Sequence, residues 1–268
     1  FPGGKGGNQA ATIGRLGGNP VFLGKLGSDE FSASLRASLT EKGVDVSHII
    51  ECNGTAGIAI ILVDKQGQNS ICFTPGANAL LTVEEIYQKK ELFQPGRVLL
   101  ATFEIGVDLV YEAAKLAKSR GMFVIVDPAP MVDLPNDFHE YVDVITPNET
   151  EASLLTGVSV SGISSAKQAL RQMIDRGFRL PIITLGDNGL IFVDKGIAQH
   201  VPGLDVEAID TTAAGDVFAG ALTFSLAHGV TLLEAIKFAN IAAGLSTTVK
   251  GAQTSIPSLG LVMSRMKT

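Results

Sequence analysis

A run of small residues directly before a helical segment is the strongest chemical signal in the sequence. Residues 210–216 read DTTAAGD, and the amphipathic run 217–226 follows them. The start of a helix leaves backbone N–H groups free and carries the positive end of the helix dipole, so it favours an anion such as a phosphate. Ala213, Ala214 and Gly215 have little or no side chain, so a phosphate could approach this backbone closely.

Asp216 lies at the same predicted helix start. A carboxylate repels a phosphate, so its presence beside an anion site needs a reason. One reason is general-base catalysis, in which Asp216 takes the proton of an attacking hydroxyl. The alternative is that Asp216 is only a favourable first-turn residue. The spacing alone leaves both interpretations open.

A second polar segment, residues 3–8 (GGKGGN), opens the sequence. It does not match a P-loop, because Gly6 stands where a P-loop has Ser or Thr after the lysine. We predict a flexible loop whose Lys5 and Asn8 hydrogen-bond a polyhydroxylated ligand. The alternative is that Asn8 is only the N-cap of a helix over residues 9–16.

Two further polar segments follow predicted strands. Asn148 and Glu151 are three residues apart at a helix start, where a carboxylate can hold Mg²⁺ through water. The alternative for this pair is a capping box. Residues 184–189 (TLGDNG) contain glycines that let backbone approach a ligand, although such a segment is also typical of a turn between strands.

The elements that must position these segments are predicted from about residue 95 onward. Apolar runs that indicate strands alternate with segments at helical spacing, which indicates a parallel sheet buried on both faces. Ligands bind beyond the carboxyl ends of such strands, and Glu104, Asp127, Asn148 and Thr184 lie at or just after these ends. The predicted strands are 97–101, 122–126, 142–146 and 181–185, with a hairpin over 189–194 and 198–201; the predicted helices are 107–119, 164–176, 215–228 and 232–248.

Residues 55–76 predict a β-hairpin set apart from this alternation, with its turn at residues 64–67 (DKQG). Both faces of its first strand are apolar, so one face could cover a site and the other could contact a second subunit. The alternative is a hairpin buried within one core. Ile58, Ile60 and Leu62 share one face, and Ala59, Ile61 and Val63 share the other.

The composition excludes several classes of protein. The chain has 268 residues, 46% of them hydrophobic, and a net charge of −6. Such a chain is too apolar to be disordered, has no basic excess for binding nucleic acid, and has no apolar run near the roughly 18 residues of a membrane span. Two cysteines cannot form a disulfide framework, and the four histidines lack metal-ligand spacing. We therefore expect a cytoplasmic protein.

Taken together and in order, the motifs resemble the PfkB family of sugar kinases, in particular its ribokinase-like members, over essentially the whole chain. The resemblance implies a single kinase domain over residues 1–268, an α/β fold in which a three-layer αβα sandwich surrounds a mostly parallel sheet, and a small β-sheet lid that includes the hairpin at 55–76. The motifs are GGKGGNQ (3–9), GAN (76–78), DPAP (127–130), TPNETE (146–151), ITLG (183–186), DTTAAGD (210–216) and KGAQ (250–253).

The resemblance implies ATP-dependent phosphorylation of the primary hydroxyl of a sugar, D-ribose first among them. Fructose, deoxyribose or a keto-deoxy sugar acid are alternative substrates, and a sugar-binding relative without turnover is a further alternative. Asp216 corresponds to the catalytic base, and the backbone of Ala213, Ala214 and Gly215 to the anion hole. The implied sugar-binding residues are Gly4, Lys5, Gly6, Gly7, Asn8, Glu104 and Asp216.

The same resemblance implies ATP, Mg²⁺ and K⁺ as cosubstrate and cofactors, and a homodimer formed through the lid. Glu151 corresponds to the residue that organises Mg²⁺ through water. The implied ATP-binding residues are Asn148, Thr184, Leu185, Gly186, Asp187, Asn188, Gly189, Gly215 and Asn240. The implied residues of the monovalent cation site are Asp210, Thr212, Ser246, Val249, Gly251 and Ser255.

The sequence departs from the family pattern in three places. Many members have Gly where Ala213 stands, and ribokinases often have Asn where Asp127 stands, at a position outside the implied ligand set. The family pattern also begins with a core strand that ends in a sugar-binding Asn-x-Asp, followed by lid strands. None of these precedes Phe1, so we expect one central strand, part of the lid and one sugar ligand to be missing from the sequence as it stands.

Overall fold

The computed structural model describes residues 2–63 and 69–267, so the turn predicted at residues 64–67 lies outside the described residues. Helices and strands alternate along most of the described chain. The helices are α1 (Lys5–Arg15), α2 (Glu30–Glu41), α3 (Val83–Gln88), α4 (Val107–Ser119), α5 (Glu149–Thr156), α6 (Ile163–Asp175), α7 (Ala214–Ala227), α8 (Leu232–Ser246) and α9 (Leu259–Arg265). The strands are β1 (Lys25–Leu26), β2 (Ile50–Glu51), β3 (Ile58–Val63), β4 (Asn69–Thr74), β5 (Val98–Thr102), β6 (Phe123–Asp127), β7 (Val144–Ile145), β8 (Leu180–Thr184), β9 (Leu190–Asp194) and β10 (Ile197–Val201).

The central sheet has the strand order β10-β9-β8-β7-β6-β5. Strands β5 to β8 are parallel, whereas β9 and β10 pair antiparallel at one side. The strands and helices predicted from residue 97 onward are confirmed, with most ends shifted by one or two residues. The strand predicted over 142–146 is shorter, because only the two residues of β7 pair in the ladder.

Helices cover both faces of this sheet, which confirms the three-layer αβα fold. Neighbouring residues of a strand point to opposite faces, so each strand contributes to two separate cores. Ile182 packs in the core that contains α1, α7 and α8, whereas Ile183 packs in the core that contains α4, α5 and α6. Both side chains are fully buried. The run of consecutive apolar residues in each strand is thus explained by burial on two sides.

Several helices begin at residues whose side chains satisfy the exposed backbone N–H groups. Thr82, Asn148 and Thr231 each form a capping box with the glutamate three residues later. Helix α8 has 15 residues and is about 22 Å long at 1.5 Å per residue. Among the described residues, no helix is long and apolar enough to cross a membrane.

Two small sheets accompany the central one. Strands β1 and β2 pair in parallel, and β3 pairs with β4 as the predicted antiparallel hairpin. Ile60 on β3 and Phe73 on β4 are 56% and 54% exposed. The alternative of a hairpin buried within one core is therefore wrong for the described chain, because these large apolar side chains face solvent.

Candidate active site

A small polar cavity lies where the carboxyl ends of β6, β7 and β8 meet the first turns of α1 and α7. Its volume is about 40 Å³, room for a few water molecules. The carboxyl edge of a parallel sheet is the usual place for ligands, and the polar residues predicted there do converge on it. The lining residues are Lys5, Asp127, Thr146, Asn148, Glu151, Thr184, Gly215 and Phe218.

The start of α7 has the geometry of an anion site. No side chain of the described residues caps this helix. The N–H group of Ala214 donates to the carbonyl oxygen of Thr211 at 3.2 Å, which leaves the N–H groups of Gly215 and Asp216 available to a ligand. A Cβ built on Gly215 would meet no atom of the described residues within 4 Å, so the backbone is open to close approach. Ala213 precedes the helix with a φ of 62°, in the left-handed region that costs a non-glycine residue about 1–2 kcal/mol. This strain explains why glycine suits the position and marks it as a functional candidate.

Asp216 is the third residue of α7 and is only 4% exposed. Its Oδ2 accepts a hydrogen bond of 2.8 Å from Nδ2 of Asn8. Its Oδ1 has no hydrogen-bond partner in the described chain, and the Lys5 ammonium lies 3.9 Å from it. Burial raises the pKa of Asp216, although the charge of Lys5 and the amide of Asn8 oppose the rise. A carboxylate with a raised pKa is a stronger base, and this one presents an unpaired oxygen.

Helix α1 begins earlier than the sequence predicted. Asn8 lies within the first turns of the helix, so the N-cap interpretation of Asn8 is wrong, and so is the flexible loop from Lys5 onward. The cause is Glu104, whose Oε2 accepts a 2.7 Å hydrogen bond from the backbone N–H of Lys5. A carboxylate stabilises the N-terminus of a helix, because it lies at the positive end of the helix dipole. Gly4, with a φ of 84°, directs the chain into the first turn of α1. Lys5 and Asn8 are thereby fixed on a rigid element.

Four carboxylates surround the Lys5 ammonium. Burial by itself lowers the pKa of Lys5, but Asp216 and the three other carboxylates more than offset it and raise the pKa. Burial raises the pKa of Glu104 and Glu151, and it raises the pKa of Asp127 well above its usual range. The cluster therefore carries more negative than positive charge when ionised. Such a site suits a phosphate that arrives with a metal cation better than a bare phosphate.

Asp127 is a site residue that the sequence analysis did not assign. Its side chain lines the cavity at the end of β6, and its Oδ2 accepts a 2.7 Å hydrogen bond from Nε2 of Gln9 on α1. Both side chains are buried. The position of Asp127 at a strand end is a sequence signal for a site residue. No sequence signal indicates its partner Gln9, which is 118 residues away.

Asn148 and Glu151 both line the cavity and also form the capping box that was considered for them. Asn148 N–H donates to Glu151 Oε2 at 2.8 Å, and Glu151 N–H donates to Asn148 Oδ1 at 2.9 Å. The two interpretations are thus compatible, because the cap holds the carboxylate at the cavity wall. Mg²⁺ prefers oxygen ligands and keeps several waters, so a carboxylate beside a water-sized polar cavity fits it.

The segment 184–189 is the turn between β8 and β9, as the alternative interpretation predicted. Its backbone packs closely against the end of β10 and the residues after it, because a Cβ built on Gly189 would clash with the backbone of Val201, Pro202 and Gly203. Asn240 on α8 donates through Nδ2 to the carbonyl oxygen of Pro202 at 2.8 Å. Residues 201–203 therefore join Asn240 to the turn. The turn consists of Thr184, Leu185, Gly186, Asp187, Asn188 and Gly189.

The residues assigned to a monovalent cation lie on the loop before α7 and on the end of α8 with the loop after it, and Asp210 joins these two segments. Its carboxylate accepts hydrogen bonds from the N–H groups of Thr212, at 2.9 Å, and Gly251, at 2.8 Å. The hydroxyls of Ser246 and Ser255 are buried and donate to backbone carbonyls. Val249, at 47% exposure, could contribute only its backbone. Backbone carbonyls and carboxylate oxygens are the donors that a hard monovalent cation prefers, so this set fits K⁺.

A wider open groove of about 650 Å³ lies between α2 and β2. Its lining includes the exposed ion pair of Arg36 and Glu51, whose atoms lie 2.8 Å apart. Among the described residues, none of the buried polar atoms that lack a partner lines this groove, whereas Asp216 lies beside the small cavity. The charged cavity is therefore the better candidate for the site of chemistry.

Comparison with known proteins bears on this site. The model of the pfkB family of carbohydrate kinases matches residues 1–259. A ribokinase from Haemophilus influenzae is 39% identical over 257 residues, which are 96% of this chain and 84% of the relative. A deoxyribokinase from Salmonella typhi is 32% identical and covers 96% of this chain and 85% of its own. The structure of Arabidopsis thaliana ribokinase complexed with ribose and ATP has a TM-score of 0.90 at 30% identity, covering 99% of this chain and 88% of the other.

The buried charge of Asp127 yields a prediction about stability. Because the folded-state pKa of this carboxyl is raised, its contribution to stability is fully present below the unfolded pKa near 3.8 and is lost as the pH rises through the folded pKa. Asp127→Asn removes the charge and keeps an oxygen that accepts from Gln9. We expect it to raise the Tm near neutral pH by at least about 2 °C, with the gain fading toward about pH 4.

Thermal unfolding at several pH values measures this effect. Asp194→Asn is the matched control, because Asp194 is exposed on β9 and its neutralisation should leave the Tm unchanged. A lower Tm for Asp127→Asn at neutral pH would contradict the prediction and show that Lys5 stabilises Asp127 as an ion.

Proposed function

The chain belongs to the pfkB family of carbohydrate kinases, and we propose that it transfers the terminal phosphoryl group of ATP to the primary hydroxyl of D-ribose, giving ribose 5-phosphate and ADP. The observation that carries the proposal is the buried carboxylate of Asp216, held by Asn8 and facing Lys5 beside the open start of α7. The ribokinase relative and the ribose and ATP named for the Arabidopsis structure support it. One kinase domain over residues 1–268 carries this activity.

We assign the proton transfer to Asp216. The primary hydroxyl of the sugar donates a hydrogen bond to the unpaired Oδ1, and this oxygen takes the proton as the hydroxyl oxygen attacks the terminal phosphorus of ATP. One O–P bond forms and the bond from that phosphorus to the ADP oxygen breaks. The hydrogen bond from Asn8 holds the carboxylate in orientation. Because the pKa of Asp216 is raised, it lies closer to neutral pH, and a general base is most efficient when its pKa is near the working pH.

The backbone at the start of α7 stabilises the charge on the transferred phosphoryl group. The N–H groups around Ala213, Ala214 and Gly215 form the anion hole, and the Lys5 ammonium adds positive charge on the side of Asp216. Phosphoryl transfer depends mainly on positioning and on such preorganised charge stabilisation. Gly4, Gly6, Gly7 and Glu104 surround the remaining hydroxyls of the sugar at the start of α1.

ATP extends from this anion hole along the edge of the sheet. Asn148 and the turn 184–189 line its phosphate and ribose portions, and Asn240 contributes to the adenine end. Glu151 would hold Mg²⁺ through water, and the bound ion would neutralise charge on the phosphates. The segments joined by Asp210 would hold K⁺, which would add positive charge near the start of α7.

Two relatives support a second substrate. The Salmonella typhi relative at 32% identity is a deoxyribokinase, so 2-deoxy-D-ribose is the alternative sugar. A sugar-binding protein without turnover is a poorer alternative, because the base, the open helix start and the polar cavity are all present. The two cysteines, Cys52 and Cys72, are unpaired, and we place the enzyme in the cytoplasm.

Asp216→Asn tests the catalytic assignment. Asn retains an oxygen for the Asn8 hydrogen bond but cannot take a proton, so kcat should fall by about 10²–10⁴-fold with the fold intact. The assay follows ADP release with ribose, 2-deoxyribose and fructose. Asp194→Asn serves as the control that changes the same chemical group on the surface. Near wild-type turnover by Asp216→Asn would exclude Asp216 as the base.

Replacement of K⁺ by Na⁺ tests the cation site. The smaller ion fits the same oxygens poorly, so activity in Na⁺ should be several-fold lower at equal ionic strength, and Asp210→Asn should reduce the difference. Asp210 joins the two segments through Thr212 and Gly251, so its neutralisation weakens the site itself. Equal activity of the wild type in both salts would contradict the proposal.

We also propose that the lid hairpin mediates a homodimer. Its support is the exposure of Ile60 and Phe73, large apolar side chains on paired strands. The wild type should have the mass of a dimer by light scattering, and Phe73→Asp should give a monomer. Leu154→Asp is the control, because Leu154 is 67% exposed on α5 away from the hairpin. A monomeric wild type would refute the dimer.

A further inference from the structure

His200, near the end of β10, holds the backbone of the turn 184–189 through its side chain. Its Nε2 lies 2.8 Å from the carbonyl oxygen of Asn188. A carbonyl oxygen can only accept a hydrogen bond, so Nε2 carries a proton and donates it. His200 thus joins the edge strand of the sheet to the segment proposed to line the phosphates and ribose of ATP.

The strand directions place His200 at the same edge of the sheet as the polar cavity. Strand β8 ends at Thr184, which lines the cavity. Strand β9 runs antiparallel to β8, and β10 runs antiparallel to β9, so β10 ends at the edge where β8 ends. His200 pairs there with Ile191, the second residue of β9. Its side chain is therefore level with the turn and not at the far end of the sheet.

The outer part of the turn is exposed and contains glycines. Gly186, Asp187 and Asn188 are exposed, and Gly186 and Gly189 have positive φ values of 57° and 80°. Glycine has more backbone freedom than other residues, so a turn of this kind loses more conformational entropy when it is fixed. Contacts from outside the turn are therefore needed to hold it in one conformation.

The residues after β10 also support the turn. Gly203 does not have a positive φ, so its conformation does not require glycine. A Cβ built on it would clash with the carbonyl oxygen of Asp187, so the missing side chain lets the two backbones approach. Asn240 of α8 donates to the carbonyl oxygen of Pro202 at 2.8 Å. The turn is thus joined to α8 through residues 200–203.

Building on the kinase function proposed above, we propose that His200 is a positioning residue for ATP, whose hydrogen bond to Asn188 holds the turn 184–189 in the conformation that binds the nucleotide. Without this bond, the turn samples other conformations, and ATP binds only the fraction of molecules in the competent one. The apparent affinity for ATP then falls with that fraction. Sugar binding at the start of α1 and proton transfer at Asp216 do not depend on the turn.

Two substitutions of His200 test the hydrogen bond. His200→Ala removes the donor, whereas His200→Gln keeps an N–H group at a similar distance from the backbone. We expect His200→Ala to raise the KM and the Kd for ATP by about three- to tenfold, the effect of one lost hydrogen bond, and His200→Gln to stay within about twofold of the wild type. The KM for ribose, kcat and the Tm should change little, because His200 is exposed on an edge strand.

Gly203→Ala tests the same positioning from the backbone. The added methyl group pushes residues 200–203 away from the turn, so the KM for ATP should rise at least as much as in His200→Ala. Gln199→Ala is the matched control on the same strand, because Gln199 is exposed and its side chain points to the opposite face of the sheet from that of His200. This control should leave the KM for ATP and the KM for ribose unchanged.

Calorimetric titration with ATP and Mg²⁺, in the absence of sugar, measures the Kd independently of turnover. An unchanged Kd and KM for ATP in His200→Ala would overturn the inference. A loss in His200→Gln as large as that in His200→Ala would also overturn it, because the donor is retained there. Equal losses of ATP and ribose affinity together with a lower Tm would assign the bond a structural role only, which equally refutes it.

The wild type separates this inference from the kinase function on which it rests. A wild type that neither binds ATP nor phosphorylates a sugar refutes both. A wild type that does both, with no difference between it and His200→Ala, refutes the role of His200 alone.

Discussion

The hydrogen bond between Asn8 and Asp216 is the contact on which the candidate site depends. It joins the first turns of α1 and α7, which are 208 residues apart in sequence, inside a buried space. A buried carboxylate is stable only with partners, and here one oxygen has the Asn8 amide while the other faces the Lys5 ammonium. The Asp216 carboxylate and the start of α1 are therefore fixed together, and its second oxygen remains open for the substrate proton that we propose it takes.

The central sheet explains why these two helix starts can meet. Its parallel strands end at one edge, and the turns after them place Asp127, Asn148 and Thr184 around a single cavity. The two cores on opposite faces hold α1 and α7 on one side and α4 to α6 on the other. Rigid elements thus carry the polar residues, and the strained backbone of Ala213 lies at the proposed anion site.

The candidate site combines a helix start that favours anions with an excess of buried carboxylates, which repel them. A polyphosphate that carries a metal cation fits both features. Lys5 alone cannot neutralise Asp216, Asp127, Glu151 and Glu104 together with a phosphate. The proposed Mg²⁺, arriving with the phosphates, would supply the missing charge. The pfkB family membership and the likeness to ribokinases agree with this charge balance.

The sequence by itself determined the features that depend on neighbouring residues: the alternation of strands and helices, the capping box of Asn148 and Glu151, and the small residues before Asp216. These follow from local periodicity and local hydrogen bonds, and the ordered motifs indicated the family. Only the tertiary structure decided where α1 begins, because Glu104 caps it from 99 residues away. The same holds for the Gln9–Asp127 pair. Such contacts depend on how helices pack on the sheet, and no spacing within the chain specifies them.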